Sequence, residues 1–146
     1  MARPIRPIRA SPSPPDFEVC VHGQSYSAQS GNRSGLVAWK RQVANVAASV
    51  WSERQPLGGD LEPHVFHYAE SLLGDLDNLN KPIQDALQGV VFLDDRQVKR
   101  LSGGWRDING VYRVRYISLP LGAAFSDGRP FVHIRVWPAK MTEDLD

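Results

Sequence analysis

The chain has 146 residues, 42% hydrophobic and 23% charged, with 17 basic against 16 acidic side chains, so it has material for one core and nothing calls for a second domain. Its single cysteine, Cys20, excludes an internal disulfide and, without Cys or closely spaced His neighbours, a zinc centre, which fits a reducing, intracellular setting. No apolar run approaches the roughly 20 residues that span a bilayer, and the N-terminus lacks the apolar stretch of a signal peptide, so the expectation is a cytoplasmic protein with no membrane partner.

Residues 1–15 carry five prolines with Arg3, Arg6 and Arg9 and no acid, which disfavours both helix and sheet and reads as a disordered leader. Residues 141–146 carry Glu143, Asp144 and Asp146 and no base. These two tails cancel in charge and leave a body, 16–140, expected to be the folded domain.

From Asp16 to Val21, Phe17, Val19 and Val21 alternate with Asp16, Glu18 and Cys20, the period of a half-buried strand. A polar loop, 22–35, comes next. Leu36 to Arg54 reads as a helix with Val37, Val43, Val46, Val50 and Trp51 on its apolar face, ended by Pro56 and the Gly58-Gly59 pair. Pro63 to Ala69 is a second strand, in which His64 and His67 fall on opposite faces without carboxylate partners and are read as structural. A second helix after Asp77 places Leu79, Ile83, Ala86, Leu87 and Val90 on its buried side, with Asn78 or Asn80 as N-cap because Pro82 belongs in a first turn, and with Gly89 at the C-terminus. Beyond it, Gln97 to Leu101 is a short extended segment. Val111 to Leu119 and Phe131 to Trp137 both alternate and, separated by the 126–130 turn, predict an antiparallel hairpin. The sum is an α+β fold: one small domain, a mixed sheet and two main helices packed on one face.

The chemistry concentrates between Asp75 and Asp95. Asp75 and Asp77 are two apart, so in an extended segment their carboxylates share a face and can reach one ion; Asp94 and Asp95 arrive after the helix and the run Val90 to Leu93. Oxygen-only ligands of this kind suit Mg²⁺, with Mn²⁺ the alternative. The competing explanation for Asp75 and Asp77 is capping and compensation of the helix dipole. For Asp94 and Asp95 it is an exposed turn. Lys81, four residues from both Asp77 and Asp85, either pairs along the helix surface or supplies a cation beside the metal.

The pattern D-L-D-N-L-x-K-x-x-x-D-A-L, then hydrophobic-L-D-D-x-Q-V, over Gly74 to Val98 resembles the RusA family of Holliday-junction resolvases. That resemblance implies a RusA-like fold, metal-binding carboxylates at Asp75, Asp77 and Asp95, Lys81 as an essential cation, and a Mg²⁺-dependent endodeoxyribonuclease. It further implies a homodimer with paired active sites that nicks four-way and other branched DNA during recombination and repair. Asp94 and Asp85 are then neighbours that support the ligands and the lysine. Arg33, Lys40, Arg96, Lys99, Arg100, Arg113 and Arg115 are the expected phosphate contacts, the last two on one strand face. Trp105 and Phe92 are candidates to stack on unpaired bases, with core packing the commoner fate of such residues.

Departures from the family pattern lie in the leader and in the loop GQSYSAQSGNR. Two other readings of the D-x-D-N run fail: an EF-hand would need Gly where Asn80 stands and Glu where Ala86 stands, and a nucleotide-sugar enzyme would need a Gly-rich phosphate loop and βαβ repetition. The alternative of a different class is a branched-DNA binder without catalysis, or a nuclease of broader specificity.

Overall fold

The computed structural model describes residues 13–140. The elements run β1 (Phe17–His22), α1 (Arg33–Trp51), β2 (Leu61–Ala69), α2 (Leu76–Leu87), β3 (Ser102–Asp107), α3 (Leu119–Asp127) and β4 (Phe131–Pro138), with a 3₁₀ turn, Asp95–Gln97, between α2 and β3. Most of the expected leader and all of the acidic tail lie outside the described residues.

Four strands form one mixed sheet in the order β1-β4-β2-β3, with β4 antiparallel to both neighbours and β2 parallel to β3. Alternation assigns the two faces. Phe17, Val19, Val21, Leu61, Val65, Val132, Ile134 and Val136 pack with Trp39, Val43 and Trp51 of α1 and Ile83 and Leu87 of α2 into the main core. On the opposite face Phe66, Tyr68, Phe131 and Cys20 pack with Leu121, Ala124 and Phe125 of α3. The expected α+β domain with two main helices on one face is therefore present, and a third helix covers part of the other face.

Several local expectations change. α1 starts at Arg33 because Asn32 caps it, accepting from the Gly35 amide at 3.0 Å; Gly35 itself is required, since a Cβ there would collide with the Tyr26 ring. Its buried stripe is Leu36, Trp39, Val43, Ala47 and Trp51, spaced by three and four, and this leaves Val37 and Val50 about half exposed instead of in the core.

The segment 111–117 forms no strand. β4 is internal to the sheet and both its edges are already taken by β1 and β2, so the alternating residues cannot pair with it and the expected hairpin does not exist. The next element is instead α3, which Ser118 caps and Pro120 and Gly128 bracket. β3 also lay hidden behind Gly103-Gly104. Parallel pairing brings the Gly103 backbone so close to the Val65 carbonyl that any Cβ would collide with it.

Candidate active site

α2 begins one turn earlier than expected. Asp75 occupies the N-cap position in an extended conformation but makes no side-chain capping bond, and Asp77 lies in the first turn. Both are exposed and line one shallow depression with Leu72, Gly74 and Asn78. No protein donor satisfies either carboxylate among the described residues, so side-chain capping does not account for them, although Asp77 in the first turn fits compensation of the helix dipole.

Pro82 therefore sits in the second turn, not the first. A proline there cannot donate to the carbonyl four residues back, which is that of Asn78. That carbonyl accepts instead from the Ala28 amide at 2.7 Å, so the irregular helix bond becomes an anchor for the loop between β1 and α1. A second anchor lies directly beneath. His67 Nε2 donates to Asn80 Oδ1 at 2.6 Å, and Ser25 donates to His67 Nδ1 at 2.7 Å, a chain in which both His67 and Asn80 are buried. Burial pulls the His67 imidazole below its ordinary range, against the opposing effect of the Asn80 bond, and this keeps the ring neutral, as a donor at Nε2 and an acceptor at Nδ1 requires. Reading Asn80 only as a cap missed this role, because nothing local reports that His67 on β2 will face it.

The second carboxylate pair is organised by a turn. Asp94 caps the 3₁₀ turn, accepting from the Arg96 amide at 2.8 Å, and pairs with the Arg96 guanidinium, whose hydrogen bonds hold its carboxyl well below the usual range. Gln97 closes the box. Its Oε1 accepts from the Leu93 and Asp94 amides, and its Nε2 donates at 2.9 Å to both the Leu57 and Gly59 carbonyls, clamping the turn to the segment before β2. Asp95 and Asp94 are thus on a capped turn and not on a strand, and Asp95 is left exposed.

Lys81 projects from α2 and donates to Asp85 at 2.9 Å, while Asp85 also lies 3.6 Å from Lys40 of α1. The Asp85 bond and charge raise the Lys81 pKa, burial opposes this slightly, and the charge of Asp95 adds to the rise. Asp95 consequently stands within electrostatic reach of Lys81. What a single chain does not do is bring Asp75, Asp77 and Asp95 together: among the described residues no three acidic, His or Cys side chains are grouped closely enough to enclose an ion.

The expected phosphate contacts divide. Arg33 donates to the Ala28 carbonyl, Arg96 is committed to Asp94, and Arg100 approaches Glu62 at 3.7 Å; Lys99 is exposed. Arg113 and Arg115 do not share a strand face as expected, because 111–117 forms no strand; they line a cleft on the α3 side of the sheet, away from α2. Phe92 is fully buried in the core, and Trp105 on β3 is half-buried. His67 keeps its structural reading, whereas His64 does have a carboxylate partner, Glu62 at 2.8 Å on the same strand face.

With this geometry in place, the comparison with family models is decisive: residues 21–115 match the model described as endodeoxyribonuclease RusA. The chain belongs to the RusA family. The match contains α1, β2, α2, the 3₁₀ turn and β3, and thus every residue of the carboxylate and lysine set. No curated protein matches the chain. RusA membership makes the protein an endodeoxyribonuclease, a hydrolase of DNA phosphodiester bonds. Among the described residues no helix is long and apolar enough to cross a membrane.

Proposed function

We propose that this RusA-family chain resolves four-way DNA junctions by paired symmetric nicks, working as a homodimer with a divalent cation, Mg²⁺ or Mn²⁺, held by Asp75, Asp77 and Asp95. The observation that carries the reading is the state of Asp75 and Asp77: two exposed carboxylates at the start of one helix, spent on no protein donor among the described residues, on a backbone that two anchors, one of them buried, hold in place. The donor set is all oxygen and anionic, as a hard cation requires. Such an ion supplies charge neutralisation on the phosphate and a more acidic water.

The chain's own groups do the rest. Asp85, which Lys40 also approaches, keeps the Lys81 ammonium charged and oriented, and Lys81 stabilises the negative charge that grows on the non-bridging phosphate oxygens. Gln97 fixes the turn that presents Asp95, and Asp94 holds Arg96 beside it for a flanking phosphate. Two matched nicks need two such sites, and a two-fold partner supplies the second.

One observation favours the non-catalytic alternative: the three carboxylates are not gathered in the single chain. The same experiment separates the two. A labelled four-way junction and a matched linear duplex are incubated with wild type and Asp77→Asn, in Mg²⁺ or EDTA. Paired nicks confined to the junction, lost on chelation and in the variant while binding persists, support the resolvase. Binding without metal-dependent cleavage by the wild type refutes it and leaves a junction-binding protein.

A further inference from the structure

One concavity among the described residues lies away from the aspartates. A cleft of about 630 Å³ opens on the face of the sheet opposite α1 and α2, floored by β1, β2 and β4 and walled by the irregular segment 111–117 and α3. Four arginines line it: Arg106 of β3, Arg135 of β4, and Arg113 and Arg115 of the wall. Against them stands one carboxylate, Glu18, and its Oε2 is already engaged by Ser118 at 2.6 Å and His133 at 2.7 Å. Burial, the largest influence, keeps His133 below its ordinary pKa, so Glu18 is hydrogen-bonded by neutral groups and keeps its single charge, which the four arginines outnumber.

Two of the arginines lie over aromatic rings. Arg106 lies over Phe66 at 4.0 Å and donates to the Tyr68 hydroxyl at 2.6 Å; Arg135 lies over Trp137 at 5.0 Å. Arg135 Nε is buried with no hydrogen-bond partner among the described residues, an arrangement that proteins avoid unless an acceptor arrives from elsewhere. Arg113 and Arg115 have no acidic partner among the described residues. Beside them the same wall presents Tyr112 and Tyr116 to solvent, 39% and 60% exposed. Exposed aromatic rings interleaved with guanidinium groups around a cleft of single-nucleotide scale, too small for a duplex, match the requirements of an unstacked nucleic-acid strand: phosphates to arginine, bases to rings.

We propose that this cleft is a second nucleic-acid site, separate from the carboxylates, that takes an unpaired single strand. It accounts for the length of exposed apolar and basic chain at 111–117 that the sheet does not use. The inference stands whether or not the aspartates cleave.

The test is anisotropy of a labelled oligothymidylate of about 10 nucleotides, a length within the range such sites cover, in EDTA so that no cleavage intervenes. Unlabelled duplex of equal length and free thymidine monophosphate serve as competitors. Arg113→Glu/Arg115→Glu lies on exposed positions, and Arg135→Gln tests the buried end, each checked by circular dichroism and melting. The expected result is at least about 10-fold weaker binding by the double variant, with the salt dependence of log affinity shallower by about 1.4, or about 0.7 for each phosphate contact removed. Wild-type affinity and salt slope in both variants would overturn the proposal. So would duplex competing as well as single strand, or free nucleotide competing at parity with the oligonucleotide, which would make the cleft a mononucleotide pocket. Because the readout is binding without metal, its failure leaves junction cleavage untouched, and failure of cleavage leaves it untouched.

Discussion

Asn80→Ala removes the acceptor at the end of the buried Ser25, His67, Asn80 chain and leaves His67 Nε2–H in place with nothing to receive it. Both residues are almost fully buried, 3% and 6% exposed, so water does not readily replace the lost partner. An unsatisfied buried donor costs about 1–3 kcal/mol. For a domain of this size each kcal/mol moves the melting temperature by roughly 3–5 °C, so the variant should melt about 3–15 °C lower by differential scanning fluorimetry. The same bond holds the second turn of α2 against β2, and Asp77 lies one turn before it, so junction nicking at a temperature where the variant is folded should fall as well. Lys81→Met is the control: it breaks an exposed pair with Asp85, costs at most about 0.5 kcal/mol, and should abolish nicking without a matching loss of stability. Asn80→Ala melting within about 1 °C of wild type would refute the claim that this chain anchors the helix.

Gln97→Ala removes four hydrogen bonds that tie the Asp95 turn to the segment before β2; a loss of about 2 kcal/mol in urea unfolding is expected, together with weaker Mg²⁺-dependent nicking. Pro82→Ala lets the residue-82 amide compete for the Asn78 carbonyl, so hydrogen exchange of the Ala28 amide should accelerate roughly 5–10-fold, the factor that about 1 kcal/mol of lost anchoring gives. Burial lowers both His67 and His133, so below an ordinary imidazole pKa of about 6.5 the unfolded chain takes up protons that the folded one refuses. Stability should be complete above that pH and decline as pH falls through the window, by up to about 1.4 kcal/mol per pH unit for each histidine; a melting temperature that rises between pH 7 and pH 5 would contradict the assignment of neutral buried rings.

The strands β1 and β4 were legible because each has one face in the main core, and that face alternates strictly. α2 was legible because an apolar stripe at helical spacing is bounded by glycines. The segment 111–119 misled for the same reason: it alternates as well as any strand does. Alternation states only that a strand would have two different faces, whereas a strand exists only where an edge with free amides and carbonyls is offered, and β4 had none left. β3 failed in the opposite direction, since paired glycines argue against a strand until the close approach of Val65 is known.

At the proposed site, the sequence by itself supplied the candidates Asp75, Asp77, Lys81 and Asp95, in a motif whose spacing brought the family into view. Tertiary structure alone decided what holds them. The Ala28 amide finds the carbonyl that Pro82 frees, His67 meets Asn80 across thirteen residues, and Gln97 reaches back to Leu57, because each of those partners is supplied by a different element. It also decided that Arg113 and Arg115 join Arg106 and Arg135 around a cleft on the far face. Spacing along a chain reports which groups can share one helix turn or strand face; which elements meet depends on how the sheet is ordered, and no local pattern carries that order.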